Sequence, residues 1–147
     1  ALLPQADALL ITLPLTDETE GLIGAEELAL LPSPAVLVNV ARGAIVDQAA
    51  LYHALKDGEL HAAGLDVWYN YPSGKDAGYG VEAVRANTSP ADYPFHALDN
   101  VVMSPHRAGG LHTTATERDR MDHLARLLNA AARGEPLPNR VDLARGY

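Results

Sequence analysis

Apolar residues gather along the chain in short runs at even intervals, with helix-forming stretches between them. Ala8-Leu9-Leu10-Ile11-Thr12-Leu13 is the first run and Pro14 ends it. Its lack of alternation predicts a strand covered on both faces. Ala35 to Val40 and Ala62 to Val67 follow at equal steps, the spacing expected of βαβ units. Val101-Val102-Met103 is a fourth run. Between the first two lies Ala25 to Leu31, where Glu26 and Glu27 suit a helix amino terminus and Pro32 stops the helix. In the next interval Asp47 is placed to cap Gln48 to Asp57, Ala50, Leu51, Ala54 and Leu55 form one apolar stripe, and Gly58 terminates it. Strand and helix alternate, which predicts an α/β fold on a partial doubly wound parallel sheet.

The texture then changes. Tyr69 to Leu98 is rich in Pro, Gly, Tyr and Asp and is too long for an ordinary connection, so it reads as a functional or irregular loop. Its aromatic residues suit either closing over a ligand or covering the sheet edge. A long carboxy-terminal helix follows: Thr114 and Glu117 have capping-box spacing, Met121, Leu124, Leu128 and Ala131 give the period, and Gly134 closes it. Pro136 and Pro138 keep the tail from being helical throughout.

Composition narrows the function. Of 147 residues nearly half are apolar, enough to bury a core. The net charge of −8 argues against a nucleic-acid partner, which needs a basic patch. With no cysteine, a disulfide framework, a thiolate zinc site and a cysteine nucleophile are excluded, which fits a reducing cytoplasm. No apolar stretch approaches the roughly 20 residues of a membrane-spanning helix, so no membrane partner is expected. His106, His112 and His123 match no standard ligand spacing, and no metal is expected. Asn87-Thr88-Ser89 is a formal glycosylation triplet, read as silent. The chain opens on Ala1 and moves at once into a strand-like run, as though it began within a domain.

In an open parallel sheet ligands bind beyond the carboxyl ends of the strands. There stand Pro14-Leu15-Thr16, Arg42-Gly43, Asp66 and Pro105-His106. Singly, Arg42 suits a surface ion pair, Asp66 a turn cap and His106 a structural histidine. Their convergence on one edge favours a site.

Leu13-Pro14-Leu15-Thr16, Val38-Asn39-Val40-Ala41-Arg42-Gly43, Ala63-Gly64-Leu65-Asp66-Val67 and Ser104-Pro105-His106-Arg107-Ala108-Gly109 resemble, in order, the D-2-hydroxyacid dehydrogenases. The resemblance spans nearly the whole chain and implies a Rossmann-like sheet, with 1–110 the carboxy-terminal part of an NAD-binding domain and 111–147 a helix and tail returning to a substrate domain. It also implies hydride transfer between NAD(H) and a small 2-hydroxy or 2-keto acid. Arg42 would hold the substrate carboxylate and His106 would serve as acid and base. Asp66 would meet the nicotinamide carboxamide, while Leu13, Pro14, Val40, Ala41, Ala108 and Gly109 would line the cofactor.

Two departures stand out. Tyr71 occupies the place of the family's catalytic carboxylate, five residues beyond the aspartate, so the expected glutamate–histidine pair is broken; Glu82 and Asp92 are the loop acids that could substitute, although a solvated role suits both better. The glycine-rich phosphate turn belongs before the first run, and Gly78-Tyr79-Gly80-Val81-Glu82-Ala83 follows no apolar strand and is read as a chance match. The isolated chain is therefore expected to bind NADH poorly, to turn over no 2-keto acid and to leave an apolar face exposed. A homodimer, or association with the missing half, is expected to cover that face. The competing reading is an inactive remnant serving as an oligomerisation or binding module.

Overall fold

The computed structural model describes residues 2–71, 89–108, 114–138 and 140–141. They fall in two compact units, Ala1–His106 and Arg107–Tyr147.

In the first unit, β1 (Ala8–Ile11), β2 (Val36–Asn39), β3 (Ala62–Leu65) and β4 (Val101–Met103) form a parallel sheet in sequential order. Parallel neighbours need crossovers, and α1 (Ala25–Ala29) and α2 (Gln48–Lys56) supply the first two. Glu27 Oε2 accepts from the Gly24 amide at 3.0 Å at the start of α1. Asp47 Oδ1 accepts from the Ala50 amide at 2.7 Å and caps α2 as its sequence predicts. Gly58 closes that helix with φ of +75°, a conformation that favours glycine.

The core lies on one face of the sheet. Ile11, Leu37, Ala63 and Leu65 from the strands pack with Leu28, Leu51 and Leu55 from the helices. Leu37, Ile45, Leu51, Leu60 and Phe95 are fully buried, each such side chain stabilising the fold by about 1.5–3 kcal/mol relative to exposure. The opposite face carries the register row Leu10, Val38, Gly64 and Val102. Here Leu10 is 63% exposed and Val102 74%. The expectation that β1 is covered on both faces therefore fails among the described residues. Successive right-handed crossovers along one direction of a sheet put their helices on the same side. The strand also stops at Ile11, short of the run's end at Leu13.

In the long loop, Phe95 is buried and stacks on Tyr69 at 6.4 Å, with edge contacts to Tyr52 and Trp68. Phe95 thereby joins these aromatics to the core cluster. Gly78 to Ala83, Asn87, Thr88, Gly109 and His112, each singled out in the sequence, lie outside the described residues.

The second unit contains α3 (Thr114–Ala132), followed by Gly134 with φ of +66°. Arg133 pairs with Glu135 at 2.7 Å just beyond it. Met121, Leu124 and Leu128, the apolar period read from the sequence, are exposed. Among the described residues no helix is long and apolar enough to cross a membrane.

Candidate active site

Arg42 is held by its own turn. Asn39, the last residue of β2, is almost wholly buried and bridges the bend: its Oδ1 accepts from the Ala41 amide at 3.0 Å and its Nδ2 donates to the Arg42 carbonyl at 2.9 Å. The Ala41 amide would otherwise lack a partner as the chain leaves the sheet, while the Arg42 carbonyl also accepts from the Ile45 amide at 3.3 Å. The guanidinium is solvent-exposed, with Nη1 donating to the Ala41 carbonyl at 2.7 Å. Next in sequence, Gly43 tolerates no side chain, because a Cβ there would fall on the Trp68 carbonyl. That contact sets the Arg42 turn against the segment leaving β3.

His106 is carried by the segment leaving β4. Its φ is +55°, and among the described residues no other non-glycine has a positive φ. Such a backbone costs about 1–2 kcal/mol, a strain often found where function fixes a residue. Trp68 braces this segment, its Nε1 donating to the Ser104 carbonyl at 2.9 Å. Tyr71 reaches His106 directly, with Oη 3.2 Å from Nδ1. The pair counted as broken in the sequence is thus occupied by a different chemistry. The Tyr71 hydroxyl also accepts from the Trp68 amide at 3.1 Å.

These groups open on one cavity of about 430 Å³. Arg42 and His106 are its polar corners, Trp68, Tyr69 and Tyr71 its aromatic wall, and Leu15, Gly43 and Ala44 complete it. A permanent cation and an imidazole facing a mostly apolar space suit a small organic anion with an oxygen that must gain or lose a proton. Burial, reinforced by the Asp47 carboxylate, pushes the Tyr69 phenol well above its ordinary value and keeps it protonated. Asp92 bonds instead to Gln48 at 2.8 Å and Asn70 at 2.9 Å.

The other residues singled out in the sequence occupy different positions. Leu13, Pro14 and Val40 are exposed beyond the ends of β1 and β2, Ala41 is buried under the Arg42 turn, and Asp66 is 5% exposed beyond β3. None of them lines the Arg42–His106 cavity. Ala108 belongs to the second unit. Sequence reading missed Asn39 as the buried brace and Trp68 as the strut. An asparagine closing a strand before an Ala-Arg-Gly turn is the signal for the first; for the second a lone tryptophan offers only its size and one donor.

A family model described as D-isomer specific 2-hydroxyacid dehydrogenase, NAD binding domain, matches residues 1–108. Glyoxylate reductase of Korarchaeum cryptofilum (strain OPF8) is 40% identical over 141 residues, 96% of this chain and 37% of that protein. Glyoxylate/hydroxypyruvate reductase B of Yersinia pestis (strain Pestoides F) is 43% identical over 113 residues, 77% of this chain and 30% of that protein. A solved D-isomer specific 2-hydroxyacid dehydrogenase from Xanthobacter autotrophicus Py2, in complex with NADPH and MES, superposes with a TM-score of 0.72 at 36% identity, covering 99% of this chain and 54% of that one. The chain thus spans under two fifths of these two curated relatives and about half of the solved chain.

Proposed function

Because the chain belongs to the D-isomer specific 2-hydroxyacid dehydrogenase family, through its NAD binding domain, we propose that it forms part of an oxidoreductase moving a hydride between NAD(H) and a small 2-hydroxy or 2-keto acid. The observation that carries this is the shared cavity of Arg42 and His106. Arg42 binds the substrate carboxylate through its forked, permanently charged guanidinium. His106 gives a proton to the carbonyl oxygen in reduction and takes one from the hydroxyl in oxidation. NADH supplies the hydride. The names of the two reductases support glyoxylate and hydroxypyruvate as the acids to test first.

The carboxyl edge of the sheet fits such a cofactor. Leu13 and Val40 expose apolar surface there and Asp66 supplies a buried carboxylate at the neighbouring strand end, a combination suited to a flat ring bearing a carboxamide. Leu13, Pro14, Val40, Ala41 and Asp66 would hold it, joined by Ala108 and by Gly109. Residues 1–110 then act as the carboxy-terminal part of the cofactor domain and 111–147 as the return to a substrate domain. Steady-state oxidation of NADH and NADPH with glyoxylate and hydroxypyruvate, using the gene product at its natural length, tests the proposal. Arg42→Ala is expected to raise KM at least tenfold and His106→Asn to abolish turnover. Absence of turnover with any small 2-keto acid would overturn it.

A further inference from the structure

Tyr71 and His106 are joined at 3.2 Å, with ring centres 5.8 Å apart. A phenol has one proton to donate and two lone pairs to accept with. One lone pair is engaged by the Trp68 amide at 3.1 Å, and that amide is held in place because Trp68 is buried and tied to Ser104. Accepting one hydrogen bond polarises a hydroxyl and strengthens it as a donor. Nδ1 of His106 lies within its reach.

We infer that Tyr71 is a positioning residue, which donates its proton to Nδ1 of His106 and thereby holds the neutral imidazole with its own proton on Nε2. Which nitrogen of a histidine carries the proton is set by the bond the other one makes. A carboxylate in the same place does the reverse: it accepts only, demands the proton on Nδ1 and leaves Nε2 bare. Besides Tyr71, the charged or titratable groups lining the cavity with His106 are Arg42 and Tyr69, with no carboxylate among the described ones. Neutral His106 therefore enters the cavity as a hydrogen-bond donor that orients the carbonyl of a 2-keto acid. Giving that oxygen a proton takes the imidazolium, and taking one from an alcohol takes the other tautomer; in both, Nδ1–H donates to the Tyr71 oxygen instead. The match to the keto acid rests on the function proposed above. The tautomer itself does not.

The tautomer is read directly by long-range nitrogen–proton correlation on the full chain with labelled histidine, at a pH where free imidazole is neutral. His106→Asn identifies the signal among the six histidines. The wild type is expected to show the proton on Nε2 and an acceptor-type shift at Nδ1. Tyr71→Glu should move the proton to Nδ1, and Tyr71→Phe, which keeps the ring, should return His106 to the mixed population of free imidazole. Circular dichroism checks that each variant folds; should the glutamate variant fail, the phenylalanine variant decides alone. A proton on Nδ1 in the wild type, or a Phe variant indistinguishable from it, overturns the inference. The expected tautomers in a gene product that reduces no keto acid would leave Tyr71 standing and overturn the function instead.

Discussion

The indole Nε1 of Trp68 donates to the carbonyl of Ser104 at 2.9 Å, so the segments leaving β3 and β4 are joined within two residues of His106. One side chain thereby sets the separation between the tyrosine-bearing and the histidine-bearing segments. Trp68→Phe keeps most of the ring but leaves that carbonyl without its partner. The expected loss is about 1–3 kcal/mol of stability, measured by urea unfolding. The Tyr71–His106 bond should loosen with it, seen as broader His106 resonances.

Asn39 is a second brace, acting on Arg42. Asn39→Ala removes bonds to the Ala41 amide and the Arg42 carbonyl; the carbonyl keeps the Ile45 amide and the Ala41 amide is left unpaired, at an expected cost of about 1–3 kcal/mol. Asn39→Asp retains the acceptor but sets a second oxygen against the Arg42 carbonyl in a buried position, and should be no more stable than the alanine variant. Equal unfolding midpoints for wild type and the alanine variant would show that the bend does not depend on this side chain.

Gly43→Ala meets the Trp68 carbonyl, main chain that cannot step aside as a flexible side chain would. The expected destabilisation is about 1–3 kcal/mol from overpacking, with Arg42 displaced. Differential scanning calorimetry of the variant should show a lower midpoint. An unchanged midpoint would mean that the two segments do not approach as closely as the structure has them.

Tyr69 gives a pH dependence of definite sign. Its phenol is raised from 10.0, first by burial and then by Asp47, so the folded protein keeps the proton to a higher pH than the unfolded chain does. Below about pH 10 both states are protonated and the contribution is complete; above it the unfolded chain ionises first, and stability falls by at most about 1.4 kcal/mol per pH unit. Tyr69→Phe should flatten that alkaline loss by one proton's worth. Urea unfolding at mildly and strongly alkaline pH measures it, and parallel slopes for the two proteins would contradict it.

Much of this arrangement is legible in the residues alone, because it depends on local rules. The four apolar runs lie where β1 to β4 form, Asp47 caps α2, and Gly58 and Gly134 take left-handed φ. Convergence of Arg42 and His106 is readable too, since strand order and direction place both beyond the carboxyl ends. What the sequence hides depends on handedness and on single hydrogen bonds. An apolar run such as Ala8 to Leu13 does not say that its Leu10 side will stay bare, and Tyr71 in a carboxylate's place does not announce that its hydroxyl still meets Nδ1.

His106 sits on a backbone with φ of +55°, which glycine adopts without strain and histidine does not. Glycine would relieve about 1–2 kcal/mol there while giving back roughly 0.5–1 through its freer unfolded chain. Folding therefore gains or loses little when glycine replaces histidine at this position. A library screened for solubility or heat resistance alone would drift away from histidine at 106 and register no penalty, whereas a screen for chemistry would hold it. Persistence of histidine in such a library is a signature of selection on reaction rather than on architecture.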